Sequence, residues 1–334
     1  MTNRSQDLYH PVQIGSVSIP GNIFLAPLAG YTDRTFRSVC LGFGADFTYS
    51  EMVSAEGVAR ESEKTDPLMR RAPGEDQFAI QIFMGDVDPV ERCLERLLTF
   101  SPTVIDINCG CPVPKVVKIG AGSQLMRAPE KLYEIVSYIT GNCKVPVSVK
   151  FRLGWDQDTI SWEKTAAAAL DGGASMLTMH ARTRAQGYAG TANWSQLRDL
   201  KQWTLKRSPQ VPIFGSGDLF SADNAKEMLL KTGIDGVMFA RGAIGNPFIF
   251  REAKALLQGY PVPSAPSVGE RKNTIRAHLE KFAEDIGEVP ACREMRKHVC
   301  AYLKGIPFAG PVKQAVVQAS SIEAYEQALS LLPD

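Results

Sequence analysis

Short apolar runs alternate with longer amphipathic segments from Asn22 to about Gln258, and this alternation constrains the fold more than any other feature of the sequence. Parallel strands joined by crossover helices give such a pattern. Eight of the runs have the length and the apolar or β-branched character of strands: Ile23–Ala26, Phe47–Ser50, Phe78–Phe83, Val104–Asn108, Val147–Phe151, Met176–His180, Pro212–Phe214 and Gly236–Ala240. Eight such units predict an α/β fold, a (β/α)8 TIM barrel.

The segments between these runs carry the signals of helix ends. Asp88-Pro89 suits the first turn of a helix, and Val90 and Leu94 follow it at helical spacing. Ser221 and Gly233 are typical of the beginning and the end of another helix. Both observations support crossover helices between the predicted strands.

A proline-rich stretch, 260–266, cannot continue a helix and predicts a linker. It separates a predicted barrel domain, 1–259, from a smaller predicted domain, 267–334. In the smaller domain apolar residues recur at helical spacing with little strand character, which favours a C-terminal helical bundle. Its helical segments are Gly269–Ile286, Ala291–Leu303 and Pro311–Leu332.

Composition and charge exclude several classes of protein. With 44% hydrophobic and 22% charged residues, the 334-residue chain is typical of globular proteins. No apolar stretch approaches membrane-spanning length, and a formal net charge of +1 gives no overall attraction to nucleic acid. The polar start, Met1 to Asp7, lacks the apolar core of a signal peptide. The seven cysteines are therefore expected to be free thiols in a reducing cytoplasm.

Polar residues cluster where the predicted strands end. The carboxyl ends of all eight strands of a TIM barrel meet at one face, and the active site lies there. We therefore expect the following segments to converge on one mouth: Ala26–Gly30, Gln81, Asn108–Pro112, Lys150 and Arg152, His180–Arg184, Gly215–Asp218, and Ala240–Gly242.

One of these loops, Asn108-Cys109-Gly110-Cys111-Pro112, places a thiol at the end of the fourth predicted strand. Gly110 permits a tight turn and Pro112 stiffens the exit, so the Cys111 side chain can be held over a ligand. A closed zinc site needs four ligands, and no second Cys or His pair stands at ligand spacing, so no metal site is predicted. A redox pair more often has the spacing C-x-x-C. A functional Cys111 and a structural, buried Cys111 remain as the two interpretations.

Two glycine-rich turns at the predicted mouth favour a phosphorylated ligand. The turns at Gly217 and Gly242 expose backbone N–H groups near the starts of helices, and Arg241 adds positive charge, an arrangement that binds phosphate in many barrels. Lys150 suits either a Schiff base or a cation beside a flavin. His180 suits a hydrogen bond to a flavin phosphate or to a substrate carbonyl.

Four segments together resemble the tRNA-dihydrouridine synthase family: Ala26–Asp33, Asn108–Pro112, Ser148–Trp155 and His180–Tyr188. The end of the barrel, Arg241–Pro247, and the tail segment Arg293–His298 resemble the bacterial B-type branch of that family. The sequence departs from the family pattern at Ser216, where asparagine is common, and at Leu28, where methionine is frequent.

The resemblance implies an oxidoreductase that takes electrons from NADPH through FMN and reduces the C5=C6 bond of specific tRNA uridines to 5,6-dihydrouridine. Hydride would come from reduced FMN and the proton from Cys111, the catalytic acid, while Cys109 would point away and pack. The positions that match the family's substrate site are Asn108, Lys150, Arg152 and His180. The positions expected around the cofactor are Ala26, Pro27, Leu28, Gln81, Lys150, His180, Ser216, Gly217, Asp218, Ala240, Arg241 and Gly242.

The uridine must leave the RNA stack to reach a buried flavin, so the protein must also hold the surrounding backbone. Arg293, Arg296 and Lys297 are spaced to share one face or edge of a helix in the predicted tRNA-binding domain. Lys115, Lys118 and Arg184, in barrel loops, are expected to extend the same track. A solvated helix face is the competing interpretation of the tail charges.

Other functions remain open at this stage. A flavin-dependent reductase of a small pyrimidine or enone would use the same barrel mouth, but it leaves the basic tail unexplained. A Schiff-base lyase that uses Lys150 explains neither the tail nor Cys111, and a non-catalytic RNA-binding barrel leaves the mouth without purpose. The visible absorption of a bound flavin discriminates between the first class and the other two. No membrane and no obligate protein partner are implied.

Overall fold

The structure, a computed structural model, describes residues 8–333. Within them are eleven strands: β1 (Val12–Ile14), β2 (Val17–Ile19), β3 (Ile23–Leu25), β4 (Thr48–Tyr49), β5 (Val53–Ser54), β6 (Phe78–Phe83), β7 (Val104–Cys109), β8 (Val147–Arg152), β9 (Met176–His180), β10 (Ile213–Ser216) and β11 (Gly236–Phe239).

The same residues form fourteen α-helices: α1 (Arg34–Gly42), α2 (Ala55–Ala59), α3 (Asp66–Met69), α4 (Asp88–Thr99), α5 (Pro114–Lys118), α6 (Pro129–Asn142), α7 (Trp162–Asp171), α8 (Ser195–Arg207), α9 (Ala222–Thr232), α10 (Ile249–Leu257), α11 (Val268–Ile286), α12 (Glu288–Tyr302), α13 (Ala309–Gln318) and α14 (Ile322–Ser330). Two 3-10 helices, Gly122–Arg127 and Arg241–Ala243, complete the regular structure of this range.

Eight parallel strands form a barrel, as predicted. Their order is β3-β11-β10-β9-β8-β7-β6-β4, and β5 pairs with β6 beyond β4. The ends of this order meet because Phe24 bridges Phe47, and because Leu25 N donates to the Phe47 carbonyl at 2.9 Å. Each of the eight predicted runs overlaps one barrel strand. The predicted helix ends are also present: α4 begins at Asp88, and α9 lies between Ser221 and a left-handed Gly233.

A hairpin that the sequence analysis did not predict, β1–β2, closes one end of the barrel. Its apolar residues Val12, Ile14 and Ile19 join the buried cluster that includes the barrel residues Phe24 and Phe214. Gln77, the residue before β6, donates to the Ser18 carbonyl at 3.1 Å. The hairpin therefore lies at the amino ends of the strands, and the carboxyl ends are left for the loops.

The C-terminal helices α11–α14 have an apolar cluster of their own, which includes Met295, Val299 and Tyr325. Residues 258–267 contain no helix or strand. The segment Pro311–Leu332 was predicted as one helical segment, but it forms two helices. α13 does not continue through Ser321, because this residue begins a new helix. Its side chain accepts a hydrogen bond from Ala324 N at 3.2 Å and so caps α14.

These helices pack beside the loop that follows β3. Arg34 pairs with Asp285 at 3.0 Å, and His298 lies 3.7 Å from Asp33, which caps α1. Gly245 adopts a φ of +68° directly against the backbone of α12, where an added Cβ would collide. The helices α11–α14 are thus held at the carboxyl end of the barrel. Among residues 8–333, no helix is long and apolar enough to cross a membrane.

Candidate active site

A cavity of about 550 Å³ opens at the carboxyl ends of the barrel strands. All the sequence-predicted catalytic, substrate and cofactor positions line it, because each lies in the carboxyl-terminal half of its strand or just beyond the strand's end. They are Ala26, Pro27, Leu28, Gln81, Asn108, Cys111, Lys150, Arg152, His180, Ser216, Gly217, Asp218, Ala240, Arg241 and Gly242.

The turn that carries Cys111 is fixed from both sides. Asn108 Oδ1 accepts hydrogen bonds from Cys111 N at 2.9 Å and from Gly110 N at 3.2 Å. From the next strand, Arg152 Nε donates to the Gly110 carbonyl at 2.9 Å. The Cys111 thiol therefore has a defined position at the cavity wall, whereas Cys109 is fully buried among apolar residues of the core.

The electrostatic surroundings keep the Cys111 thiol protonated near neutral pH. Burial raises its pKa above the usual value, against the opposing effects of Arg152 and Lys150. A thiol whose pKa lies above the working pH holds a proton that it can give to a reacting atom. Cys111 is thus suited to act as an acid and poorly suited to act as a thiolate nucleophile or metal ligand.

Lys150 brings an uncompensated positive charge to the cavity. Within residues 8–333 its ammonium has no hydrogen-bond or ion-pair partner. Burial lowers its pKa, and the nearby Arg152 lowers it further, while buried Asp106 opposes both effects. An ammonium in this position is stabilised by an anionic or electron-rich ligand.

Arg152 and His180 complete the polar wall on this side. Arg152 donates to the backbone carbonyls of Gly110, Thr183 and Gly187, at 2.9, 3.1 and 3.0 Å, so its charge meets no carboxylate. Burial and the neighbouring cations hold the pKa of His180 well below its usual range. His180 is therefore a neutral imidazole, able to donate one hydrogen bond and accept another.

The two glycine-rich turns, which follow the neighbouring strands β10 and β11, lie against each other at the cavity. Gly217 has a φ of +116° and packs against the His180 ring, and an added Cβ on Gly242 would collide with the Leu219 carbonyl oxygen. Arg241 lies over the rings of Tyr188 and Phe220, at 4.3 and 5.3 Å from their centroids. Backbone N–H groups and one guanidinium are thus available to a phosphate at this place.

The carboxylate of Asp218 is not available to bind a phosphate at these turns. Its carboxylate accepts from Arg182 Nη2 at 2.7 and 2.8 Å and from Ala192 N at 2.8 Å. A contact of residue 218 with an anionic ligand would therefore have to use its backbone, because the side chain is already committed and carries a negative charge. The carboxylate orients Arg182 and lies 3.6 Å from Arg241.

The sequence analysis missed several residues of the site. Met52 and Phe220 line the cavity, and Tyr188 was noted only as the end of a motif. Asp106 was treated as part of an apolar run, although a carboxylate inside a predicted barrel strand was itself a signal. Among the described residues, no group of three or more His, Cys, Asp and Glu side chains is arranged to hold a metal ion.

The predicted RNA contacts occupy two places near the mouth. Lys115 and Lys118 are exposed on α5, directly after the Cys111 turn, and the Arg184 guanidinium lies 4.5 Å from the centre of the Trp155 ring. All three positions belong to loops or short helices at the carboxyl end of the barrel.

The three predicted tail residues differ in their surroundings. Arg293 is exposed, and the Lys297 ammonium lies 5.7 Å from the ring centre of Tyr31, a cavity residue, while also pairing with Glu294 at 2.6 Å. Arg296 instead donates to the Ala319 carbonyl at 3.2 Å, at the end of α13. Arg293 and Lys297 are thus available to a ligand at the surface, whereas Arg296 braces the tail.

Comparison with known proteins gives a consistent result. The family model for dihydrouridine synthase (Dus) matches residues 24–332. A probable tRNA-dihydrouridine synthase of Treponema pallidum (strain Nichols) is 46% identical over 322 residues, which cover 94% of each chain. The tRNA-dihydrouridine synthase B of Pasteurella multocida (strain Pm70) is 35% identical over 295 residues, 88% of this chain and 87% of that one.

Two solved structures share the fold. A 2-naphthoyl-CoA reductase complex superposes with a TM-score of 0.57 at 11% identity, covering 77% of this chain and 53% of the other. Histamine dehydrogenase from Rhizobium sp. 4-9 superposes with a TM-score of 0.54 at 12% identity, covering 84% and 51%. The chain spans about half the length of these two proteins, and at such identity the likeness concerns the barrel architecture.

Proposed function

Because this chain belongs to the dihydrouridine synthase family, on its B-like branch, we propose that it uses FMN and NADPH to reduce the C5=C6 bond of uridine in tRNA. The enzyme is an oxidoreductase, and its product is 5,6-dihydrouridine. The reaction adds one hydride and one proton to the base. The site must therefore hold a hydride source and an acid on opposite sides of the same ring.

One observation carries this proposal: the Cys111 thiol and the Lys150 side chain, which has no partner among residues 8–333, line the same cavity. The ammonium of Lys150 suits the negative charge of a reduced flavin, and the turns at Gly217 and Gly242, with Arg241, suit its phosphate. When bound and reduced, FMN would supply the hydride for uracil C6. The residues present thus fit the cofactor that the family implies.

The protein's own groups do the rest of the chemistry. As C6 gains the hydride, negative charge develops at C5 and on O4 of the base. Cys111 Sγ donates its proton to C5, and the resulting thiolate regains a proton from solvent. Neutral His180 and the second N–H of Asn108 Nδ2, the one that does not bond Gln81, offer hydrogen bonds that orient the base. Arg152, through the Gly110 carbonyl, holds the acid in place.

The cofactor assignment is tested on the purified protein. We expect a yellow protein that releases FMN on denaturation, since the two glycine turns suit a single phosphate. Release of FAD, or failure to bind any flavin after reconstitution with FMN, would contradict the proposal. NADPH is expected to reduce the bound flavin without tRNA.

The tRNA is expected to contact both the barrel mouth and α12. Arg293 and Lys297 are accessible, and Lys297 lies next to the cavity residue Tyr31, so the RNA strand that delivers the uridine passes them. We place the reaction in the cytoplasm, where free thiols persist; the cysteines of the described residues are all unpaired. No obligate protein partner is assigned.

Replacing Arg293 and Lys297 together by alanine is expected to weaken tRNA binding and to flatten its salt dependence. Each lost phosphate contact should reduce the slope of log K against log salt by about 0.7–0.9. Titration of tRNA at several salt concentrations gives the slope. Arg296 is left in place because its bond to the Ala319 carbonyl supports the fold.

The matched control removes two exposed charges from the outer helix α8, with Arg198→Ala and Lys206→Ala. It should leave the slope unchanged. If both double variants behave alike, the charges of α12 form a solvated face and the RNA contacts lie elsewhere. NADPH oxidation without tRNA serves as the check that the α12 variant is intact.

A further inference from the structure

A carboxylate is buried inside the barrel, below the cavity. Asp106 is inaccessible to solvent and lies on β7, two residues before Asn108, so both side chains leave the strand on the same side. It accepts hydrogen bonds from Ser148 Oγ at 2.5 Å and from Gln81 Nε2 at 2.6 Å. Asp106 is not among the residues that line the cavity, so the mechanism above gives it no task.

A continuous chain of hydrogen bonds connects this carboxylate to the catalytic turn. Gln81 donates through Nε2 to Asp106, and its Oε1 accepts from Asn108 Nδ2 at 2.8 Å. Asn108 Oδ1 in turn accepts from the backbone N–H groups of Gly110 and Cys111. Two side-chain amides thus form the link between Asp106 and the turn.

The two ends of the chain define its direction. An ionised carboxylate only accepts hydrogen bonds, and a backbone N–H only donates them. Each amide between them has one donating and one accepting end, so a single arrangement of Gln81 and Asn108 satisfies every bond. If Gln81 turned over, its oxygen would face the carboxylate of Asp106, and its NH2 group would face that of Asn108. Asn108 would then also have to turn, and would lose both bonds to the Cys111 turn.

We propose that Asp106 is a positioning residue for uridine reduction: by accepting from Gln81, it sets the direction of both amides and so fixes the turn that presents the Cys111 thiol. This inference rests on the proposed function. It also assigns a specific orientation to the Asn108 amide, which lines the cavity beside the thiol. The carboxylate acts on the acid without touching substrate or cofactor.

Asp106 also has a second effect, which the test must separate from the first. Its negative charge raises the pKa of Lys150, and the same burial that lowers the pKa of Lys150 raises that of Asp106. The other groups around the carboxylate are Ser148, Gln81 and the buried phenol of Tyr49. The hydrogen-bond acceptor and the charge of Asp106 can be separated, because one substitution removes the charge alone and another removes the acceptor as well.

Two substitutions distinguish them. Asp106→Asn removes the charge but keeps an acceptor for Gln81, and its NH2 group can donate to Ser148 Oγ. Asp106→Leu has a similar size and removes the acceptor. Near neutral pH we expect Asp106→Asn to reoxidise its reduced flavin with tRNA nearly as fast as the parent. We expect Asp106→Leu to be slower by about 10–150-fold, the factor that corresponds to one lost hydrogen bond to a charged group. Both variants lose the charge that acts on Lys150, so flavin content and reduction by NADPH should be alike in the two.

Stopped-flow measurement of the two half-reactions gives these rates. Parental reoxidation by Asp106→Leu, or an equal defect in both variants, would overturn the proposal. Ser148→Ala removes the other bond to Asp106 without touching the amide chain and is expected to behave like the parent. The parent itself tests the proposed function, because its failure to form dihydrouridine would refute that function before any variant is compared.

Asp106→Leu can fail to fold, since the carboxylate lies in the closed interior. In that case Gln81→Leu interrupts the same chain one link closer to the cavity. It must then show slow reoxidation by tRNA, and a parental rate would overturn the proposal equally. Reoxidation by tRNA as slow in Asp106→Asn as in Gln81→Leu, with flavin still bound, would overturn it as well, because Asp106→Asn retains the acceptor.

Discussion

Replacement of Cys111 by alanine is expected to leave reduction of the flavin by NADPH intact and to slow dihydrouridine formation by about 10²–10⁴-fold, the usual contribution of a general acid. The thiol is held at the cavity wall with its pKa raised by burial, so it carries the proton that C5 of the uracil requires. Stopped-flow absorbance under anaerobic conditions measures the reductive and the oxidative half-reactions separately.

Cys109 provides the matched control. It lies two residues before Cys111, as the last residue of β7, but it is fully buried in the apolar core and does not line the cavity. Cys109→Ala should therefore cost some stability and little activity. Reoxidation by tRNA at the parental rate in Cys111→Ala would mean that another group donates the proton.

Replacement of Gly242 by alanine is expected to deplete the protein of flavin. The added Cβ would collide with the backbone carbonyl oxygen of Leu219, so the turns after β10 and β11 would have to separate. Overpacking of this kind typically costs about 1–3 kcal/mol, which corresponds to flavin affinity roughly 5–150-fold weaker if the cost falls on the bound state. Fluorescence titration of the apoprotein with FMN measures the change.

Gly141, near the end of α6, is the control for the size of the substitution, since an added Cβ there meets no atom within 4 Å. Gly141→Ala should bind FMN like the parent. If Gly242→Ala also retained parental affinity, the two turns would not form the phosphate site, and the positive charge of the cavity would have to serve a different ligand.

The barrel and its mouth were predictable because both depend on local pattern. Eight apolar runs with helices between them leave little choice of fold, and in that fold strand ends converge. Cys111, Lys150 and His180 could therefore be assigned to one cavity although their positions in the sequence differ by up to 69. No contact had to be known for this step.

Features that depend on tertiary contacts were less accessible. The hairpin β1–β2 has strands of only three residues each, and it is stabilised by packing of its apolar side chains against the end of the barrel that it covers. The break between α13 and α14 occurs because Ser321 caps α14. The apolar spacing of this segment fits one continuous helix equally well, so the sequence alone did not reveal the break. Arg296 shares a helix face with Arg293 in sequence, but in the structure it donates to α13.

The role of Asp106 shows the same limit within the active site. A carboxylate in an apolar strand was visible in the sequence, but the direction of the hydrogen bonds through Gln81 and Asn108 depends on where two neighbouring strands bring their side chains. Periodicity places side chains on a face of the sheet. It does not determine which end of an amide faces which neighbour.

Nucleoside analysis of tRNA treated with the purified protein tests the central claim most directly. Unmodified tRNA is incubated anaerobically with FMN-loaded protein and NADPH, digested, and examined by mass spectrometry beside a reaction with free uridine. The expected result is dihydrouridine in the tRNA, in proportion to the NADPH consumed, with far less reduction of free uridine. Oxidation of NADPH without any uridine in tRNA gaining two hydrogen atoms would contradict the assignment.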